Sequence, residues 1–256
     1  MADNAPLTGT TALVTGASSG IGEAAAHHLA GLGAHVALVA RRRDRIEALA
    51  KEIEAGDGRA LVLEADVTDR EQAEGAVRRT VDELGRLDIL VNNAGVMLLG
   101  PIQDAPVEEW ERMVNVNLLG LLYSARAALP HLLEAAETSE RKVADLVNIS
   151  SVAGRLARLG SGVYNATKHG VGAFSESLRQ EVTQRHVRVG LVEPGAVATE
   201  LSSHNRPEIR DSIKERFGDL DRLGAEDIAD AIAWMVTRPR HVAINEILVR
   251  PTEQQG

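Results

Sequence analysis

Apolar and polar positions along this chain alternate between two periods. Short apolar runs recur at residues 11–14, 35–40, 60–65, 88–91, 145–149, 187–192 and 246–249, and each reads as a strand. Between them, apolar residues return at helical spacing. Ile21, Ala25, Leu29 and Leu32 follow the first run, and Leu49 and Ile53 the second. Trp110, Met113, Val114, Leu118, Leu121 and Leu122 mark a helix from Glu108 to about His131. Val171, Phe174, Leu178 and Val182 mark another after Tyr164, and residues 225–236 a last one. Strands and helices alternate without a composition break. The pattern predicts an α/β fold in a single domain over residues 1–256, a doubly wound parallel seven-stranded sheet of Rossmann type with helices on both faces.

Two stretches do not fit the alternation. Residues 134–142 are charged and read as a surface excursion. Residues 200–222 are polar and weakly periodic, with Pro207 inside them. That is the pattern of a mobile segment covering a substrate, and equally of an uninvolved surface loop.

The strand ends carry the candidate chemistry. The first strand runs into Thr15-Gly16-Ala17-Ser18-Ser19-Gly20-Ile21-Gly22 and then a helix. Glycines there permit a tight turn and close approach to a ligand, while a helix N-terminus offers free N–H groups to a pyrophosphate. Packing glycines alone would also explain the turn. After the second strand, Ala40 occupies the slot where an acidic residue would bind the 2′-hydroxyl of NAD, and Arg41, Arg42 and Arg43 follow. Arginines suit the 2′-phosphate of NADP. Three of them at a helix start oppose the helix dipole unless an anion sits nearby. Asp66 and Val67 end the third strand, Asp66 being either an adenine contact or a turn residue. Asn92-Asn93-Ala94-Gly95 ends the fourth, either as a plain turn or as a ligand-binding edge. Asn117 lies on an apolar helix stripe, either as a satisfied core amide or as a polar relay at a site.

Tyr164 and Lys168 are one helical turn apart and share a face. A free phenol titrates near pH 10, too high for proton exchange at neutrality, and a nearby ammonium is expected to lower that value. A hydroxyl such as Ser151 would hold a carbonyl oxygen against the phenol. On its own, the pair is also what an amphipathic core tyrosine and a solvated lysine look like.

Composition narrows the setting. The chain has 256 residues and a net charge of −9, which gives no general attraction to nucleic acid. Cysteine is absent, so disulfides, thiolate metal sites and a cysteine nucleophile drop out together. The eight histidines are scattered in no metal-binding spacing. No signal peptide or membrane-length apolar run is visible, and a cytoplasmic protein is expected.

Taken together, Thr15-Gly-x-x-x-Gly-Ile-Gly22, Asn92-Asn-Ala-Gly95, Asn117, Ser151, Tyr164-x-x-x-Lys168 and Pro194-Gly-x-Val-x-Thr199 resemble the classical short-chain dehydrogenase/reductase family over residues 8–250. Residues 95–100, 175–181 and 245–251 resemble an NADP-dependent branch that includes clavulanic acid dehydrogenase and the 3-hydroxy acid dehydrogenases. The resemblance implies a small-molecule carbonyl/alcohol substrate and a tetrad of Asn117, Ser151, Tyr164 and Lys168. In it Tyr164 is the proton donor, and Lys168 lowers its pKa and binds the nicotinamide ribose. Ser151 orients the substrate, and Asn117 holds a water in a relay to Lys168. It implies NADP(H) contacts from Gly16, Ser18, Ser19, Gly20, Ile21, Gly22, Arg41, Arg42, Asp66, Val67, Asn93, Ala94, Gly95, Pro194, Gly195, Val197 and Thr199, besides Tyr164 and Lys168. It also implies a homodimer or homotetramer. Residues 200–222, which shape the family's substrate pocket, match nothing diagnostic. The alternatives are a non-catalytic protein that senses NADP(H), and an epimerase or dehydratase of the related extended fold. The complete tetrad argues against the first and the short chain against the second.

Overall fold

The computed structural model describes residues 5–218 and 220–255. Among them seven strands form: β1 (Thr11–Thr15), β2 (His35–Ala40), β3 (Arg59–Glu64), β4 (Ile89–Asn92), β5 (Ala144–Ile149), β6 (Val187–Pro194) and β7 (Glu246–Val249). All pair in parallel, in the order β3-β2-β1-β4-β5-β6-β7. Strands β1, β4, β5 and β6 are buried along their whole length, which is why they read as continuous apolar runs. The edge strand β7 alternates between exposed and half-buried positions.

Helices cover both faces. Helices α1 (Gly20–Gly31), α2 (Arg43–Ala55) and α8 (Ala225–Val236) close a core with Ala12, Val14, Val36, Leu38, Val91 and Val147. Helices α3 (Arg70–Leu84), α5 (Gly120–Thr138) and α6 (Gly162–Val182) close the other with Leu13, Ala37, Leu90, Leu146 and Val189. The two sets of strand residues alternate in sequence, as a period of two requires. Strand order reverses between β1 and β4, and a cleft opens beyond their carboxyl ends. No helix among the described residues is long and apolar enough to cross a membrane.

Three expectations are corrected. The helix expected from Glu108 to about His131 is interrupted: α4 (Val107–Val114) passes through a π-helical turn, Asn115–Leu119, before α5 begins. Such turns are rare and recur at functional sites. The expected excursion at 134–142 is mostly helix, because α5 continues to Thr138. Leu132, Ala135 and Ala136 are buried at helical spacing, and only the outer face of this stretch is polar. The weakly periodic stretch after Thr199 contains a 3-10 turn, Glu200–His204, and helix α7 (Pro207–Phe217). Pro207 begins that helix at a position where its missing N–H costs nothing.

Candidate active site

The glycine turn between β1 and α1 has backbone that only glycine adopts readily at Gly16 (φ +68°) and Gly20 (φ +58°). A Cβ at Gly16 would lie 2.8 Å from Ala94 Cα, and one at Gly22 would lie 2.4 Å from Asn93 Nδ2. These glycines therefore let the loop after β4 close onto the turn. Asn93 donates its side-chain amide to the carbonyl of Thr15 at 3.0 Å, and the Thr15 hydroxyl accepts from the N–H groups of Asn93 and Ala94. Ser19 caps α1 with extended backbone and no side-chain hydrogen bond to the helix itself, leaving the first-turn N–H groups open to the cleft.

The arginines after β2 divide. Arg42 turns inward, donating to the hydroxyls of Ser18 at 3.1 Å and Ser19 at 2.7 Å. Arg41 stays exposed, 3.7 Å from Asp66. The anion that the helix start requires is the chain's own Glu200, whose two oxygens each accept from one arginine, Arg42 and Arg45, at 2.8 Å. Those hydrogen bonds hold the Glu200 carboxyl down at about 2. Asp66 accepts from the backbone N–H and hydroxyl of Thr68 and also lines the cleft, so the two readings of it are compatible. Asp69 caps α3, accepting from the N–H groups of Glu71 and Gln72.

Ser151 lies beyond β5 and caps a 3-10 turn, accepting from the N–H of Ala153 at 3.1 Å. Its neighbour Ser150 donates to the carbonyl of Lys168 at 3.1 Å, tying α6 to the sheet. Tyr164 and Lys168 share one face of α6 and are both buried. Lys168 Nζ donates to the carbonyl of Ile149 at 2.8 Å and lies 5.9 Å from the Tyr164 ring centre.

The expected lowering of the phenol is not found. Burial pushes Tyr164 up to about 12, opposed by a hydrogen bond with Ser151, and burial pulls Lys168 down to about 8. The ammonium is spent on the Ile149 carbonyl and is itself disfavoured by burial. Desolvation of the phenolate therefore outweighs any help from it.

Asn117 sits in the π-helical turn, 1% exposed. It accepts from the N–H of Val96 at 2.8 Å and donates to the carbonyl of Val96 at 2.9 Å and to Thr167 Oγ1 at 3.2 Å. Its amide is thus satisfied by neighbours, yet a Cβ at Gly95 would lie 3.4 Å from its Oδ1 and 3.9 Å from Lys168 Nζ. Asn117 and Lys168 face each other across Gly95.

One cavity of about 300 Å³ spans both halves. Every expected site residue lines it except Gly22 and Asn117, which support its walls. It is also lined by Val96, Val116, Glu200, Leu201 and His204, which the sequence did not single out. For Glu200 a signal existed, since it directly follows Thr199 and carries a charge opposite to the arginines. At one end the glycine turn, two serine hydroxyls and Arg42 form a donor set that fits the phosphates of a dinucleotide, with a cradle that added side chains would fill.

A doubly wound sheet with a glycine turn at its switch point and Ser151, Tyr164 and Lys168 in the same cleft defines a dinucleotide-binding oxidoreductase class. The chain belongs to the short chain dehydrogenase family, whose profile matches residues 10–210. It is 42% identical over 252 residues to a glycine betaine reductase of Emericella nidulans, covering 97% of this chain and 19% of that protein's length. An uncharacterized oxidoreductase of Staphylococcus aureus is 38% identical, with 96% of this chain and 98% of that protein covered. Among solved structures, the closed form of a serine dehydrogenase complexed with NADP+ superposes with a TM-score of 0.87 at 34% identity, covering 96% and 97% of the two chains. A metagenomic short-chain oxidoreductase in complex with NADP gives 0.80 at 33% identity, covering 96% and 99%.

Proposed function

We infer that this chain is an NADP(H)-dependent oxidoreductase that interconverts a ketone or aldehyde and an alcohol, with Tyr164 as general acid and base. The observation that carries this reading is the convergence of Ser151, Tyr164 and Lys168 in the cavity whose far end holds Arg42 and the glycine turn. The NADP complexes among the structural neighbours support the cofactor. The bound nicotinamide supplies or accepts a hydride.

The chain's own residues do the rest. The Ser151 hydroxyl orients the carbonyl oxygen, and the neutral Tyr164 phenol gives it a proton in reduction. In oxidation Tyr164 takes that proton back. Lys168, one turn along the same helix face, would bind the nicotinamide ribose. Asn117 acts across Gly95 through a water that links it to Lys168. Gly16, Ser18, Ser19, Gly20 and Ile21 would hold the pyrophosphate, Arg42 with Arg41 the 2′-phosphate, and Asp66 and Val67 the adenine. Asn93, Ala94, Gly95, Pro194, Gly195, Val197 and Thr199 would flank the ribose and nicotinamide, with Gly22 setting the turn. The segment 200–222 would cover a substrate of the 3-hydroxy acid or secondary-metabolite type. Serine, in the name of the NADP-bound neighbour, is itself a 3-hydroxy acid. A homodimer or homotetramer in the cytoplasm completes the proposal.

The test is loss of NADPH absorbance with a panel of ketones, aldehydes and β-keto acids. Tyr164→Phe should lower turnover by roughly a thousandfold while leaving the NADPH dissociation constant nearly intact. Full turnover in that variant would sink the mechanism, and NADPH binding with no turnover of any carbonyl would favour a sensing role.

A further inference from the structure

The stretch from Val96 to Leu99, a wall segment that meets the cavity at Val96, has no regular secondary structure. Two asparagine side chains hold its backbone. Asn117 takes both polar groups of Val96, as described above. From the opposite side comes Asn205, 5% exposed and directly after the 3-10 turn that carries Leu201 and His204 into the cavity. Its Oδ1 accepts from the N–H of Leu99 at 2.7 Å, and its Nδ2 donates to the carbonyls of Met97 at 2.9 Å and Ser202 at 3.1 Å. Every one of these partners is a backbone group, so the contact is independent of which side chains the wall carries.

The next residue extends the contact. Arg206 reaches Glu109 on α4 at 3.2 Å, and its guanidinium passes so close to Gly100 that a Cβ there would lie 2.6 Å from one of its nitrogens. Gly100 itself donates to the carbonyl of Gly160, on the loop before α6. The wall, the 3-10 turn and the approach to Tyr164 are therefore joined at one place.

We propose that Asn205 is a positioning residue for the substrate half of the cavity. It docks the segment bearing Leu201 and His204 onto the 97–99 wall, and Arg206 over Gly100 secures the same joint. The inference deepens the oxidoreductase reading and rests on it. Asn205 is not itself a lining residue and touches no reacting atom, so its removal should loosen substrate binding without disturbing cofactor binding or proton transfer.

The test compares wild type with Asn205→Ala. The KM for the carbonyl substrate should rise roughly tenfold, with kcat within about threefold, because binding common to ground and transition states is lost. The NADPH dissociation constant, read by fluorescence, should stay within about twofold. Amide exchange in peptides spanning 96–101 should quicken roughly tenfold as the Leu99 N–H loses its acceptor. Arg206→Ala removes the second tie of the joint, to Glu109 and over Gly100, without straining the backbone, so it should fold and raise KM in the same direction. Unchanged exchange at 96–101 overturns the proposal, as does faster exchange with an unchanged KM. Loss of NADPH binding together with kcat would mean general collapse and also overturns it. A wild type inactive toward every carbonyl defeats the reaction reading instead, and the exchange comparison alone then decides whether Asn205 holds the wall.

Discussion

Tyr164 and Lys168 lie one helical turn apart, and burial moves their proton affinities in opposite directions, up to about 12 and down to about 8. Each shift favours the neutral form. For Lys168, the unfolded chain titrates near 10.5 and the folded one near 8. Between those values the unfolded chain holds more protons, so folding stability rises with pH; below 8 the folded state bears the whole desolvation penalty. For Tyr164 the sign reverses above pH 10, where the unfolded phenol ionises first and stability falls as pH rises toward 12. The interval from about pH 8 to about pH 10 therefore isolates the lysine. Lys168→Met should remove this contribution, so the Tm of wild type minus that of the variant should increase steadily from pH 8 to pH 10. A flat difference would mean that Lys168 is not shifted in the folded chain. The spacing that pairs these residues was legible in the sequence, as was Ser151. The direction of the phenol shift was not, because it depends on how α6 is buried against β5 and where the ammonium finds its acceptor.

At the scale of elements, the strands and the glycine turn were legible because they rest on local rules. Continuous apolar runs mark strands buried on both faces, and glycine marks positive φ. The π-helical turn at Asn115–Leu119 was not, since one extra residue in a helix barely disturbs an apolar stripe. Nor was the meeting of Glu200 with Arg42 and Arg45, which are more than 150 positions away in the chain. That meeting changes what the basic stretch means. Its helix start already has an anion from the chain itself, so on the proposed reading a 2′-phosphate would compete with Glu200 for Arg42. Arg42 also grips Ser18 and Ser19 of the glycine turn, whereas Arg41 remains at the rim. Arg42→Ala should therefore weaken NADPH binding roughly tenfold to a hundredfold, the range of one charge-assisted contact, and NADH binding much less. Equal losses for the two cofactors, measured by fluorescence titration, would mean that Arg42 supports the turn and does not read the phosphate.

Across the whole molecule, the two edges of the parallel sheet do different work. At the carboxyl edge Asn93, Ser150 and Ser151 line the cavity, and their placement follows from the rule that ligands bind beyond strand ends. At the amino edge, buried charges are paired among themselves. Arg188, at the start of β6, is held to Asp145 of β5 by hydrogen bonds of 2.7 and 3.0 Å, with both side chains under a tenth exposed. Its remaining donors reach the carbonyls of Val236 at 3.0 Å, Arg238 at 3.0 Å and Val242 at 2.8 Å, tying the chain beyond α8 to the sheet. Arg141 adds a second cation to Asp145 at 3.0 Å. The sequence could not disclose this cluster, because Arg188 lies 43 positions beyond Asp145 and only the register of β5 with β6 brings them together. Removing one partner of such a group leaves buried carbonyls and a carboxylate short of donors, at a cost of about 3 kcal/mol. Arg188→Met keeps the volume, so urea denaturation should report that loss while turnover per folded molecule stays unchanged. Activity falling out of proportion to the folded fraction would show that the amino edge communicates with the cavity. Equal stability would mean that Arg141 alone satisfies Asp145 and that the loop beyond α8 is held by its apolar contacts.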